Sequence, residues 1–164
     1  MTMDMHMLGI MYAPSDMITI MGMLNYVSKE MDHVTYMGPA GSTVLGGFTT
    51  RTSGIGDTSV SALIRLHETQ KNRVHVMAGL SLPTGSVDET GTVLAPTGMM
   101  PTLRLPYPMQ LGSGSYDLLH GITWMNFLSD DATFGVQWRG TIRTSDNDED
   151  YRVGDEDRLT AWYA

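Results

Sequence analysis

Apolar and polar residues alternate with a period of two along most of this chain. Residues 132–144 show the pattern most clearly, because Ala132, Phe134, Val136, Trp138 and Ile142 oppose Thr133, Gln137, Arg139, Thr141 and Arg143. Residues 58–68 and 73–82 repeat the same alternation. A helix would require a period of 3.6, so this pattern predicts β-strands with one apolar face and one polar face.

Further strands are predicted at about 3–12, 17–27, 115–127 and 157–164, which makes seven in all. Each has roughly ten residues or more, whereas strands of soluble sheets usually have about five or six. This length matches the roughly 9–11 residues with which a tilted strand crosses a bilayer. Aromatic residues lie near the predicted strand ends, as they do at membrane interfaces: Tyr12, Tyr26, Trp124, Phe127, Trp162 and Tyr163.

The predicted connections alternate between short and long along the chain. The short ones are 13–16, 69–73 and 128–131, and the long ones are 28–56, 83–114 and 145–156. An outer-membrane barrel has one rim of tight turns and one rim of long loops, so this order is typical of it. The fold prediction is therefore all-β: an antiparallel up-and-down meander that forms part of an outer-membrane β-barrel. The alternative is a soluble β-sandwich or barrel that binds a lipid or hydrophobic ligand, with the apolar face as its core.

Closure of the sheet into a barrel explains why such strands can enter a membrane. Hydrocarbon offers no hydrogen-bond partner, so both edges of every strand must be paired. Bacterial single-chain barrels have an even number of strands. Seven predicted strands therefore suggest that residues 1–164 form one barrel domain that is incomplete at one or both ends.

The amino-acid composition excludes several classes of function. The formal charge is −8, and the eight Arg and two Lys residues are scattered, so a nucleic-acid partner is not expected. Cysteine is absent, which excludes disulfides, thiolate metal sites and cysteine nucleophiles. The N-terminus has no export-signal pattern, so we expect either a mature or truncated form or a protein that stays inside the cell.

Four segments carry a family resemblance. GIGDTSVSALIRL (54–66), GLSLPTGS (79–86) and LGSGSYDLLHGIT (111–123) contain Gly-x-Gly-Asp, Pro-Thr-Gly and Gly-x-Gly-x-Tyr-Asp, and MHMLGIMYAPSD (5–16) precedes them. In order and spacing they resemble outer-membrane β-barrel transporters of the "meta-pathway of phenol degradation" type. The resemblance covers nearly the whole chain, which would be part of a family member. It implies a larger barrel, an export signal, and passage of small hydrophobic molecules.

Polar side chains on the inward faces of the predicted strands are the candidate site. Asp57 and Asp117 stand at strand entries, where a carboxylate can accept backbone N–H groups or face an arginine such as Arg65 or Arg139. The lumen-lining candidates are Asp4, His6, Asp57, Arg65, His67, Arg73, His75, Asp117, Gln137, Arg139 and Arg143. They either form a charged ladder that selects solutes or satisfy one another inside a narrow barrel.

Methionine and acidic residues raise the question of a metal. Among 15 methionines, Met1, Met3, Met5, Met7 and Met11 form a stripe that is predicted to face lipid, and Met17, Met21 and Met23 are predicted to face the lumen. Thioethers beside His6 suit copper, but His6 points away from the stripe. The acidic run 145–157 has Tyr151 where a calcium loop needs glycine. No metal or cofactor is predicted.

No enzyme motif is present in the sequence: a nucleophile elbow, HExxH and a phosphate loop are all absent. The functional prediction is a non-catalytic channel of the bacterial outer membrane for passive passage of small, hydrophobic or aromatic molecules. Its expected partners are the lipid bilayer and a small-molecule solute.

Overall fold

The structure is a computed structural model that describes residues 1–38 and 41–164. It is all-β and antiparallel, as predicted. The strands are β1 (Thr2–Ser15), β2 (Ile18–Tyr36), β3 (Val44–Ile55), β4 (Thr58–Glu68), β5 (Asn72–Leu82), β6 (Thr90–Thr92), β7 (Thr102–Arg104), β8 (Asp117–Ser129), β9 (Ala132–Arg143) and β10 (Glu156–Tyr163). A single 3₁₀ turn spans Tyr107–Met109. Within the described ranges, no helix is long and apolar enough to cross a membrane.

The main sheet follows the chain order β1-β2-β4-β5-β8-β9-β10, with β3 paired to β2. β3 and β4 share one edge of β2: residues 18–23 of β2 pair with β4, and residues 26–36 pair with β3. The Gly56 amide donates to the Asn25 carbonyl (2.8 Å) at the step between them. The sheet therefore has seven positions, and it curls into a half-barrel.

Short turns join three pairs of neighbouring strands close to the places predicted for them. Two or three residues (16–17, 69–71 and 130–131) join β1 to β2, β4 to β5 and β8 to β9. The prediction for 28–56 is wrong, because most of that segment is strand. Beyond the middle of β2 the outward side chains are Ser28, Glu30 and Asp32, so hydrophobic alternation disappears while backbone pairing with β3 continues.

The connection between β5 and β8 folds back over one face of the sheet. It contains the β6–β7 hairpin and the 3₁₀ turn, where an irregular loop was predicted. Its residues 105–113, here named the inner loop, contain the buried side chains of Leu105, Met109 and Leu111, of which Leu105 packs on Gly91 of β6 and Leu111 on Gly54 of β3. We name the covered side of the sheet the concave face and the other side the convex face.

The convex face is apolar and uncovered. Each of the seven positions presents at least one exposed large apolar side chain on it: Ile10, Ile20, Val60, Leu80, Ile122, Ile142 and Leu159. Ile10 is 70% exposed and Leu159 is 74% exposed. A sandwich would bury these residues under a second sheet, but the second sheet in the described residues consists only of β6 and β7. The β-sandwich alternative is therefore wrong.

Close packing between β4 and β5 predicts the effect of one substitution. A Cβ added to Gly79 would lie 2.5 Å from Ser61 Cβ and 2.6 Å from the Val60 carbonyl oxygen. Because backbone cannot move aside cheaply, we expect Gly79→Ala to lower the free energy of unfolding by about 1–3 kcal/mol. Urea unfolding in detergent, followed by tryptophan fluorescence, measures this change.

Gly22→Ala is the matched control, since a Cβ at Gly22 meets nothing within 4 Å. It should change the free energy of unfolding by no more than about 0.5 kcal/mol. Equal stability of the two variants would contradict the packing between β4 and β5.

Candidate functional site: the concave face and its inner loop

The concave face contains a polar recess. A cavity of about 470 Å³ is lined by residues from both ends of the meander, from Met5 on β1 to Glu156 on β10. Its lining combines charged side chains such as Lys29 and Arg143 with apolar ones such as Val27. Residues distant in sequence thus share one solvent-filled space beneath the inner loop.

Asp57 joins the three glycine motifs at the rim of this cavity. Its Oδ1 accepts a hydrogen bond from the Gly85 amide (3.1 Å), and its Oδ2 accepts one from the Ser113 amide (2.7 Å). Thr84 Oγ1 accepts from the Thr58 amide (2.8 Å) and donates to the Gly56 carbonyl (2.8 Å). The prediction that Asp57 accepts backbone N–H groups is confirmed.

Glycine is needed where these motifs touch. A Cβ at Gly112 would lie 2.4 Å from Asp57 Oδ1, and one at Gly85 would lie 2.7 Å from the Gly112 Cα. Gly114 has φ +72°, a conformation that other residues rarely adopt. The Gly-x-Gly pattern is therefore needed because backbone segments approach the Asp57 carboxylate closely.

Asp117 is the fully buried carboxylate of the site, with no exposed area. It forms an ion pair with Arg143 and accepts hydrogen bonds from Ser113 Oγ (3.0 Å) and Ser115 Oγ (2.7 Å). The register pairs residue 117 with residue 143, so neither suggested partner, Arg65 or Arg139, binds it. The ion pair joins β8 to β9, and the hydrogen bond from Ser113 connects Asp117 to the end of the inner loop.

The inner loop is fastened to β2 and β3 through its own carbonyl groups. Lys29 Nζ donates to the carbonyls of Pro108 (2.9 Å) and Gln110 (2.5 Å), and Thr52 Oγ1 donates to that of Met109 (2.7 Å). Burial lowers the pKa of the Lys29 ammonium. Lys29 was not predicted as a site residue, although it interrupts the apolar inward positions of β2 and is one of only two lysines.

A second charged group lies on the concave face near the short turns. Glu68 forms ion pairs with Arg65 and Arg73, and the guanidinium of Arg73 also lies over the Phe127 ring, 5.6 Å from its centre. His75 lines the same small cavity as these two arginines. Glu68 was not predicted as a site residue, because a β-bulge between Arg65 and His67 reverses the inward and outward positions that follow it.

Eight of the eleven candidates lie on the concave face: Asp57, Arg65, Arg73, His75, Asp117, Gln137, Arg139 and Arg143. Their lining of a lumen stays a prediction. Asp4, His6 and His67 lie on the convex face, so their predicted inward orientation is wrong. Asp4 pairs with Ser28 and His6 with Tyr26, both on outward positions, and the bulge turns His67 outward.

The methionine stripe of β1 also needs correction. Met5, Met7 and Met11 pair with Val27, Asn25 and Met21, which all belong to the concave side of β2. The stripe therefore faces inward rather than toward lipid, as do Met21 and Met23. In the part of the chain that the structure describes, no three His, Asp or Glu side chains converge on a possible metal site.

Gln137 and Arg139 occupy the wall opposite β1 and β2. Gln137 Nε2 donates to Thr123 Oγ1 across β8 and β9 (2.8 Å). Arg139 forms no ion pair or side-chain hydrogen bond within the described residues, and it faces Arg158 directly across β9 and β10. The Arg139 guanidinium is thus available to a solute in the recess.

Comparison with known proteins adds the family. Residues 19–164 match the family model described as "Putative MetA-pathway of phenol degradation". The chain belongs to this family. The three glycine motifs that meet at Asp57 all lie within the matched residues, so the resemblance seen in the sequence is confirmed. The chain matches no curated protein and no solved structure.

The buried ion pair predicts a large effect of neutralising Asp117. Asp117→Asn leaves the guanidinium of Arg143, which is only 15% exposed, without its counter-charge. We expect the free energy of unfolding to fall by about 3 kcal/mol or more. Urea unfolding in detergent measures the change.

Glu30→Gln is the control, because it removes an ion pair with Arg51 that is open to solvent. Exposed pairs contribute little, so its effect should be much smaller. Equal losses in the two variants would show that Asp117 and Arg143 do not form the buried pair.

Proposed function

We propose that this family member forms the wall of an outer-membrane β-barrel channel that passes small hydrophobic or aromatic molecules without catalysis or a cofactor. One observation carries the proposal: all seven sheet positions expose apolar side chains on the convex face, while charged side chains collect on the concave face. A protein in water rarely exposes an apolar surface of this extent. A barrel wall between hydrocarbon and an aqueous lumen requires this distribution.

Strand lengths support the same arrangement. β4, β5, β8 and β9 have 11 to 13 residues, enough for a tilted crossing. β2 has 19 residues, and its outward side chains change from Ile20 and Leu24 to Glu30 and Asp32 along its length. The first half of β2 would cross the hydrocarbon, and its second half with β3 would extend into water.

The inner loop supports a restricted passage. It lies across the concave face with Met109 and Gln110 almost fully buried. The recess beneath it has about 470 Å³, within the roughly 300–1,000 Å³ of sites for small organic molecules. The family description refers to phenol degradation, which suits solutes of one aromatic ring.

Two measurements test the proposal. Expressed in a Gram-negative host, the protein should sediment with the outer membrane and require detergent for extraction. Proteoliposomes should swell in arabinose, a neutral sugar that does not cross lipid by itself. Recovery as a monodisperse species without detergent, or swelling equal to that of empty liposomes, would overturn the proposal.

The fastening of the inner loop predicts one change in flux. Lys29→Met removes the donor to the Pro108 and Gln110 carbonyls, so the inner loop should lie less firmly across the passage. We expect arabinose-driven swelling to become several-fold faster. Lys71→Met, which changes a residue of a short turn, should leave the rate unchanged, and a slower Lys29→Met variant would contradict the restricting role of this loop.

A further inference from the structure

The concave face is basic although the chain is acidic. The formal charge of the whole chain is −8. On the concave face, however, six basic side chains meet five acidic ones: Lys29, Arg65, Arg73, Arg139, Arg143 and Arg158 against Asp16, Asp57, Glu68, Asp117 and Glu156. A recess with excess positive charge concentrates anions. The recess therefore favours negatively charged solutes over positively charged ones.

One basic side chain of the concave face has no partner among the residues that the structure describes. Five of the six basic side chains have partners in the protein, including Arg158, whose Nη2 lies 2.8 Å from Glu156 Oε1. Arg139 has no such partner in the described part of the chain. Its guanidinium offers a planar set of donors that matches a carboxylate.

The neighbours of Arg139 also favour an anion. Arg139 and Arg158 stand directly opposite each other on β9 and β10, and like charges in that position destabilise a sheet. On the other side, Arg139 pairs with Gly121, and the stem of the Arg139 side chain packs over that glycine, where an added Cβ would lie 3.2 Å from Arg139 Cγ. A bound carboxylate would offset the repulsion between the two guanidinium groups.

A cavity of about 190 Å³ lies at this arginine pair, and it shares Leu119, Arg139, Thr141 and Glu156 with the larger recess. Its lining is mostly polar, and Met77 and Leu119 supply a small apolar patch. The volume is below the roughly 300–1,000 Å³ typical of drug-sized ligands. The cavity therefore suits a small molecule with one anionic group and a compact apolar body.

We infer that this cavity binds small monocarboxylates, with the carboxylate on Arg139 and the apolar body against Met77 and Leu119. The inference rests on the proposed channel function and names the solute class that the channel selects. Glu156 forms an ion pair with Arg158 and adds negative charge at the cavity. This negative charge disfavours a solute with a second carboxylate.

Isothermal titration calorimetry of the full chain in detergent micelles tests the inference. The probes are benzoate, benzyl alcohol, which has the same ring without charge, and inorganic phosphate, which has charge without an apolar body. Benzoate should bind at least roughly tenfold more tightly than either. Arg139→Gln should lose that advantage, while Arg51→Gln, which changes an exposed arginine on the opposite face, should retain it.

Three results would overturn the inference: equal binding of benzoate and benzyl alcohol, equal binding of benzoate and phosphate, or unchanged benzoate binding in Arg139→Gln. If Arg139→Gln does not fold, Arg139→Lys keeps the charge but loses the planar donors, and it should bind benzoate more weakly than the unchanged protein does. Arabinose swelling of proteoliposomes separates the two proposals. Swelling without benzoate preference refutes the solute class alone, whereas absence of swelling refutes the channel.

Discussion

Pairing of backbone groups is the constraint on which the rest of this sheet depends. Where a convex face meets hydrocarbon, an unpaired N–H or C=O costs several kcal/mol. Inside the sheet, one edge of β2 is interrupted, because β3 ends at Ile55 and β4 begins at Thr58. Asn25 satisfies backbone groups at this interruption: its carbonyl accepts a hydrogen bond from the Gly56 amide, and its Nδ2 donates one to the Asp57 carbonyl (3.0 Å). Seven sheet positions can then act as one continuous wall.

The same step creates the site. Because residues 56 and 57 leave the regular ladder, the Asp57 side chain can reach the amides of Gly85 and Ser113 on the concave side. The base of the inner loop is therefore attached where β3 passes into β4. From there Ser113 and Ser115 extend the network to the buried carboxylate of Asp117. One interruption in the sheet thus positions the inner loop over the concave face.

Sequence periodicity determined most of the fold but only part of the site. It predicted the faces of β5 and β9 correctly, because nearly all apolar residues there face outward and nearly all polar ones inward; Met77, which faces inward, is an exception. It failed where both faces are polar, as in the second half of β2, and where one extra residue, Leu66, shifts the alternation before His67. Ion-pair partners such as Arg143 for Asp117 depend on strand register, which periodicity does not specify.

Strand β1 shows most clearly why periodicity has this limit. Its odd positions carry methionines and its even positions carry Leu8, Ile10 and Tyr12, so both faces are apolar and hydrophobicity cannot choose between them. Pairing with β2 determines which face of β1 is inward, because the polar residues Thr19, Asn25 and Lys29 lie on the inward face of β2. Met5 consequently lines the recess together with Arg139 and Arg143. Methionine adapts its shape to what it contacts, so in the proposed channel this side of the recess would accept varied apolar bodies while Arg139 would select the charge.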